Sequence, residues 1–222
     1  MTGSNSPSSQ ITPLFAVPLA EFKLPKPERL CADLRTLFLA REREGDAYRN
    51  EVKRPTQDAA VFESRFDLFT WDDAPVVALR EFCHHSMISL LTHLGQVEAT
   101  SRIKIDYHAW FHVTRYGGFQ GLHNHQNASW SGIFCVDPGE RDPDNPRSGV
   151  VRFHDPKLGT NMFADAANRS LPMPYNNGVY ELYHRTGTLT IFPSYLNHEI
   201  FVYRGQRERI VVAFNSWARE EA

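Results

Sequence analysis

Cysteine is scarce in this chain, and its few copies are scattered. The 222 residues include only Cys31, Cys83 and Cys135, and no two of them form a CxxC pair. An odd number of widely spaced cysteines predicts free thiols in a reducing compartment rather than a disulfide framework. We therefore expect a cytoplasmic protein.

Net charge and long apolar runs are also lacking. Lys and Arg together number 24 against 26 for Asp and Glu, which gives a formal net charge of −2. This near balance provides no general attraction to nucleic acid or to an anionic membrane. No apolar run approaches the roughly 18 residues of a membrane span, and the opening MTGSNSPSSQ has no signal-peptide pattern. We expect neither nucleic acid nor a membrane as a partner.

What the chain does contain is apolar and aromatic side chains, 41% and 12% of the residues respectively. This content is enough for one substantial core, and so many aromatics suit a sandwich or barrel packed with large side chains. We expect a disordered polar tail over residues 1–10 and a single domain over residues 11–222.

The spacing of apolar residues separates a helical first part from a β-rich second part. Helical spacing occurs over residues 26–44 and 71–95, whereas residues 11–25 alternate and contain prolines, as edge strands do. After residue 100, short segments rich in β-branched and aromatic residues are separated by Gly, Pro or Asn. These strand candidates cover residues 102–116, 128–136, 148–155, 178–184, 187–193, 198–204 and 208–217. The pattern predicts a mainly β fold, with a core over about residues 100–218 and helical support over about residues 26–97 packed on one side.

One long insertion interrupts the strand candidates. Residues 156–178 contain few signals of regular structure. A loop of this length is either a lid over an opening in the core or a structural loop that covers a sheet edge.

Two histidines two residues apart, His123 and His125 in GLHNHQNASWSG, are the first functional signal. On a strand, such side chains point to the same face, about 6–7 Å apart, and could bind one metal ion. His198, which follows a strand and a turn, is the best candidate for a third ligand. Neutral imidazoles bind Fe(II), Zn(II), Cu(II) and Ni(II), and three protein ligands leave open positions for catalysis. Taken alone, however, the pair also fits two ordinary polar residues on one strand face.

Arg209 is the second signal, 11 residues after His198 on the next strand candidate. A guanidinium facing the interior of a small barrel could bind a carboxylate through two hydrogen bonds. A lone arginine on a strand is more commonly a solvated surface residue, so this signal too is weak in isolation.

The ordered set HNH, WSGIFCVDPGE, SGVVRFHDP, GTLTIFPSYLNHEIF and RERIVVAFNSW resembles the iron(II)/2-oxoglutarate-dependent oxygenases. It is most similar to their small bacterial and phage members. The resemblance covers roughly residues 100–218. It implies a double-stranded β-helix, or jelly roll, with Fe(II) as the metal and 2-oxoglutarate as the co-substrate. It also implies a dioxygenase that hydroxylates a small-molecule or peptidyl substrate and releases succinate and CO2. A homodimer is possible.

The resemblance also implies residue roles. His123, His125 and His198 would bind iron, and Arg209 would bind the distal carboxylate of 2-oxoglutarate. Asn215 would contact the other end of the co-substrate. Three aromatic residues before the first ligand, Tyr107, Trp110 and Tyr116, would supply a hydroxyl or a packing wall.

The family pattern has a carboxylate where this chain has His125. A site of three neutral imidazoles is more cationic, since no ligand offsets the charge of the metal. Asp137 or Asp155 could take the place of His125, but neither shares its short strand. RIVVAFN also lacks the serine that often follows the arginine by two residues.

Two other functions remain open from the sequence. A cupin-like metalloenzyme without a co-substrate could use the same barrel and histidines, but it would not need a carboxylate-binding arginine. A non-enzymatic ligand-binding jelly roll would not bind iron.

Overall fold

A computed structural model describes residues 11–52, 56–57, 60–95, 103–157, 165–176 and 178–220. The predicted tail, residues 1–10, lies outside the described residues. The α-helices are α1 (Pro27–Arg43) and α2 (Ala74–His93). The strands are β1 (Ala20–Lys23), β2 (Val61–Glu63), β3 (Ile103–Thr114), β4 (Gln120–His123), β5 (Trp130–Asp137), β6 (Val151–His154), β7 (Val179–Leu182), β8 (Thr188–Pro193), β9 (His198–Ile200) and β10 (Arg209–Glu220).

The strands form two antiparallel sheets. The larger has the order β1-β8-β5-β10-β3-β2 and the smaller the order β4-β9-β6-β7. Along the chain, β3 to β10 are thus distributed between the two sheets so that β3, β5, β8 and β10 face β4, β6, β7 and β9. This arrangement is the jelly roll that the resemblance implied, so the predicted fold class is confirmed.

The larger sheet has two chemically different faces. Along β10, Ile210, Val212 and Phe214 belong to a core shared with the helices, whereas Val211 belongs to a core between the two sheets. Successive side chains of a strand point to opposite faces, so Arg209 shares the interior face with Val211. This alternation places a charged side chain inside the barrel.

Both helices pack on the outside of the larger sheet, as predicted. We call this contact region the outer core. Leu34 and Phe38 of α1 and Met87 of α2 are fully buried in it. The Phe38 and Phe111 rings stack there with centroids 4.3 Å apart. The helices therefore cover the face of the sheet that points away from the barrel interior.

The inner core lies between the two sheets. It combines Ile133, Phe192 and Val211 of the larger sheet with Phe153 and Ile200 of the smaller one. A hydrogen bond from Gly121 N to Thr56 O, 2.7 Å long, joins β4 to the segment before β2. This contact links the two sheets along one side of the barrel.

The described segments of the first part agree with the predicted helices and edge strand. The edge strand is shorter than residues 11–25, because only Ala20–Lys23 pair with β8. No helix within the described ranges combines the length and apolarity of a membrane span. The three cysteines are free and buried.

Candidate metal centre

Three imidazoles meet inside the barrel. His123 ends β4, His198 opens β9, and the two residues are direct partners in the antiparallel register. His125 lies two residues beyond His123, and its backbone N–H donates to Ser194 O at 2.9 Å. The ring centroids of His123, His125 and His198 are 4.3 Å to 5.3 Å apart. Their potential ligand nitrogens all lie within 4.8 Å of one another.

The predicted strand contains His123 but not His125. β4 ends at His123, so His125 is carried by the turn that follows. Alternation along a strand therefore does not explain the convergence. The ladder between β4 and β9 aligns two of the rings, and the contact with Ser194 returns the third to them.

The backbone around the cluster fixes the ring nitrogens of two histidines. His123 Nδ1–H donates to Gly121 O at 2.7 Å, and His198 Nδ1–H donates to Leu196 O at 3.0 Å. Each ring then has Nε2 unprotonated, the usual pattern when a histidine binds a metal through Nε2. Burial, and next the proximity of His123, lower the pKa of His198 well below its usual value, since a second positive charge beside His123 would be costly. Both effects favour the neutral imidazole that a metal requires.

Asn215 contacts the third imidazole. Its Nδ2 lies 3.4 Å from His125 Nδ1, and its Oδ1 accepts a hydrogen bond of 2.8 Å from Ser131 Oγ. Ser131 Oγ is also 2.8 Å from Ser194 Oγ. The structure places Asn215 against His125, where it can orient the ring, and its contact with a co-substrate stays a prediction.

Neither candidate aspartate joins the cluster. Asp137 binds the guanidinium of Arg207 and lies 3.5 Å from Arg35 Nη1. Asp155 forms an ion pair of 3.9 Å with Lys157 at another cavity. Within the described ranges, His123, His125 and His198 are the one group of histidine, cysteine or carboxylate side chains close enough to share an ion.

The cavity next to the histidines ends at a buried cation. Arg209 lines the same cavity of about 80 Å³ as the three imidazoles, and it is only 3% exposed. Its Nη2 lies 2.9 Å from His184 Nδ1. No carboxylate of the described residues lies within ion-pair distance of Arg209. Burial lowers the pKa of Arg209, because a charge without a counterion is costly inside a protein.

The three aromatic candidates have different positions. Trp110 is buried, lines the cavity, and has its ring centroid 5.8 Å from that of His125. Tyr116 follows the end of β3, is 53% exposed, and accepts a hydrogen bond of 3.2 Å from Arg204. Tyr107 faces the helices and contacts His84. The structure therefore brings Trp110 to the site but not Tyr107 or Tyr116.

A polar wall of this cavity combines His112, which the sequence indicates as a wall or core residue, with Glu63 and Gln120, which it does not indicate. His112 Nε2 lies 2.9 Å from Glu63 Oε2, 3.2 Å from Trp110 Nε1 and 3.4 Å from Gln120 Nε2. All four residues line the cavity. The shared strand face of Trp110 and His112 was a usable signal, but Glu63 lies on a strand of three residues with no pattern to mark it.

The described part of the long insertion lies elsewhere. Met173, Pro174 and Asn176 line a separate cavity of about 320 Å³, together with residues 15–17. Residues 158–164, which include Met162 and Phe163, are outside the described residues. The lid function therefore stays a prediction.

About half of the chain matches the model of a known protein family. Residues 108–215 match the model of a family described as "Putative 2OG-Fe(II) oxygenase". The match runs from β3 into β10 and includes the three histidines and Arg209. The resemblance to the iron(II)/2-oxoglutarate-dependent oxygenases is confirmed. Fe(II) and 2-oxoglutarate, the predicted cofactors, are the two that give the 2OG-Fe(II) oxygenases their name.

Solved structures of such oxygenases have the same fold. A Pseudomonas putida prolyl-4-hydroxylase is 14% identical, with a TM-score of 0.61 over 92% of this chain and 93% of that one. A Trichoplax adhaerens prolyl hydroxylase, bound to a hypoxia inducible factor peptide, is 12% identical, with a TM-score of 0.58 over 89% and 83%. Streptomyces hygroscopicus HygX, bound to nickel, 2-oxoglutarate and hygromycin B, is 10% identical, with a TM-score of 0.52 over 90% and 83%. A search of curated proteins by sequence gives no match.

Proposed function

We propose that the protein is an Fe(II)- and 2-oxoglutarate-dependent dioxygenase that hydroxylates a small-molecule or peptidyl substrate. The observation that carries the proposal is one cavity with three converging imidazoles and a buried guanidinium that has no carboxylate partner among the described residues. A metal with open positions and a dicarboxylate would each find complementary groups there.

The residues would divide the work as follows. His123, His125 and His198 would hold Fe(II), with the His123 and His198 rings oriented by backbone carbonyls. Arg209 would bind the distal carboxylate of 2-oxoglutarate. When bound, iron and 2-oxoglutarate would supply oxygen activation, with succinate and CO2 as products. Trp110 and the inner core would keep water away from the reacting groups.

Charge supports a co-substrate in this site. Three neutral imidazoles leave both positive charges of Fe(II) uncompensated, and Arg209 adds a third. A dicarboxylate would offset two of them. A cupin-like enzyme without a co-substrate would have no use for the buried cation at Arg209, which costs stability when unpaired.

The substrate class follows less directly. The prolyl hydroxylase from Trichoplax is bound to a peptide, whereas HygX is bound to the small molecule hygromycin B. We keep both classes in the proposal, because the fold accommodates both in its relatives.

Succinate formation tests the proposed function. Purified protein is incubated with Fe(II), 2-oxoglutarate and oxygen, and succinate is measured with and without candidate substrates. We expect succinate from the wild type and none above background from His198→Ala, which lacks a buried ligand. Metal content, measured in both proteins, shows whether the loss follows iron. If the wild type binds iron but never forms succinate, the proposal is wrong.

A further inference from the structure

The buried arginine of the cavity has an unusual partner. Arg209 donates from Nη2 to Nδ1 of His184, a buried residue that follows β7 in the opposite sheet. Elsewhere in the fold, arginines meet carboxylates: Arg35 Nη2 lies 2.7 Å from Glu208 Oε2, and Arg152 Nη2 lies 2.7 Å from Glu181 Oε1. The most deeply buried arginine of the described ranges is thus the one that a neutral acceptor holds.

His184 is uncharged in this position. Burial, and next the positive charge of Arg209, lower its pKa well below the usual value. A neutral ring can accept a hydrogen bond from the guanidinium without cancelling its charge. A carboxylate in the same place would form an internal ion pair and leave Arg209 less able to bind an external anion.

The pair also carries an unsatisfied group. Because His184 Nδ1 accepts from Arg209, the proton of the neutral ring must lie on Nε2. That nitrogen is buried and has no hydrogen-bond partner within the part of the chain that the structure describes. An orphaned buried donor lowers stability, so packing alone does not account for a histidine here.

Arg209 borders a second cavity as well. It lines a space of about 330 Å³ together with His184, Glu140 and Asp142. His184 lines this space too, so its hydrogen bond fixes the guanidinium at the border between the two cavities, and without that acceptor the carboxylates of the second cavity would be the competing partners. His184 therefore has two effects, one on the direction of the guanidinium and one on its charge.

We infer that His184 is a positioning residue for co-substrate binding. It fixes the Arg209 guanidinium at the border of the metal cavity while leaving its charge available, and so makes the site select a 2-oxo acid with a distal carboxylate. This inference rests on the proposed 2-oxoglutarate-dependent function. His184 itself need not touch the co-substrate.

Three substitutions at one position separate the two effects. His184→Asn places a neutral acceptor near the position of Nδ1, His184→Asp places a charged one there, and His184→Leu removes the acceptor. The probes are 2-oxoglutarate and pyruvate, which share the 2-oxo acid end and differ in the distal carboxylate. Dissociation constants are measured by calorimetry on protein loaded with Mn(II) without oxygen, so the readout is independent of turnover.

We expect His184→Asn to keep the 2-oxoglutarate affinity within about threefold, whereas His184→Asp weakens it by about tenfold or more, since the co-substrate must first displace an internal ion pair. His184→Leu should also weaken it, because the guanidinium loses its anchor. Pyruvate affinity should be the same in all four proteins, since it makes no contact with Arg209. Thermal unfolding and Mn(II) affinity identify any variant that has lost its fold. If His184→Asp does not fold, the comparison of 2-oxoglutarate affinity between His184→Asn and His184→Leu still decides whether an acceptor at position 184 is needed.

The measurements distinguish a failure of the His184 role from a failure of the proposed function. If His184→Asp binds 2-oxoglutarate as tightly as the wild type, His184 does not govern the charge of Arg209, and the inference is wrong while the proposed function stands. If the wild type binds 2-oxoglutarate no better than pyruvate, the distal carboxylate is not recognised, and both are wrong.

Discussion

Replacing Arg209 by methionine should weaken co-substrate binding and at the same time stabilise the ligand-free protein. The first effect follows from the loss of the guanidinium that we expect to bind the distal carboxylate. Removing one member of a buried charge pair costs about 2–5 kcal/mol. At about 1.4 kcal/mol for each tenfold change, the dissociation constant should rise by about thirtyfold to several thousandfold.

The second effect follows from the burial of Arg209. Its side chain is 3% exposed, and no carboxylate of the described residues lies near enough to balance its charge. Methionine needs no hydrogen bond and fills a similar volume. We expect a gain of about 1–2 kcal/mol, allowing for the acceptor left open at His184. In a protein of this size, each kcal/mol raises the melting temperature by about 2–4 °C.

Thermal unfolding with and without ligand measures both effects. With Mn(II) present and 2-oxoglutarate at about one hundred times its wild-type dissociation constant, the wild type should gain about 2.7 kcal/mol of stability. Arg209→Met should gain at most about 0.9 kcal/mol, since a thirtyfold higher dissociation constant leaves the ligand at only about three times that constant. Arg204→Met, a change at an exposed arginine stacked on Tyr116, is the matched control and should alter neither value.

The two expected effects have opposite signs, since co-substrate affinity falls while the stability of the ligand-free protein rises. A variant that melts below the wild type without ligand, yet is still fully stabilised by 2-oxoglutarate, would refute both the unpaired-charge argument and the assignment of the carboxylate site.

Three further changes probe other parts of the structure. Asn215→Leu should lower metal affinity about tenfold to a hundredfold, because His125 loses the neighbour that orients it. Asn215→Asp should restore most of the metal affinity. Equal metal affinity in the wild type and both variants would contradict the orienting role of Asn215. Gly132→Ala should destabilise the protein by about 1–3 kcal/mol or more, because an added Cβ would lie 2.3 Å from the Phe214 ring; an unchanged melting temperature would contradict the packing described here. The depressed pKa values of His184 and His198 predict that metal-free protein loses stability as pH falls below about 6.5, since the unfolded chain then binds protons that the folded chain does not. His184→Asn should remove the His184 part of this dependence and leave the His198 part, and identical profiles would argue against a buried neutral histidine at position 184.

The strands of the core were predictable because burial on both faces leaves a strong signal. Residues 210–214 are apolar on both faces, since one face of β10 meets the helices and the other the barrel interior. Because both faces are apolar, the pattern does not show which face of the strand points to the helices and which to the barrel interior. Trp110 and Tyr116 have the same parity, but β3 ends at Thr114, so only Trp110 stays in the sheet. Tyr107 has the opposite parity and faces the helices.

The metal cluster was predictable in part. His123 and His198 could be paired only through the topology of the family, since their alignment depends on a ladder between strands distant in sequence. His125 was placed in the cluster by an argument from strand alternation that the structure does not support. The pairing of Arg209 with His184 had no local signal, because the residues lie 25 positions apart on facing sheets.

The helical layer has a consequence for how such a protein can change over generations. Among the described residues, most of the fully buried apolar side chains, including Leu34, Phe38, Met87 and Phe111, lie in the outer core, where they pack between helices and sheet and do not line the metal cavity. Substitutions of residues that line the metal cavity therefore leave most of the buried apolar packing intact. The residues that line the cavity can therefore vary while the outer core is kept, and solved structures show the same fold at 10–14% identity.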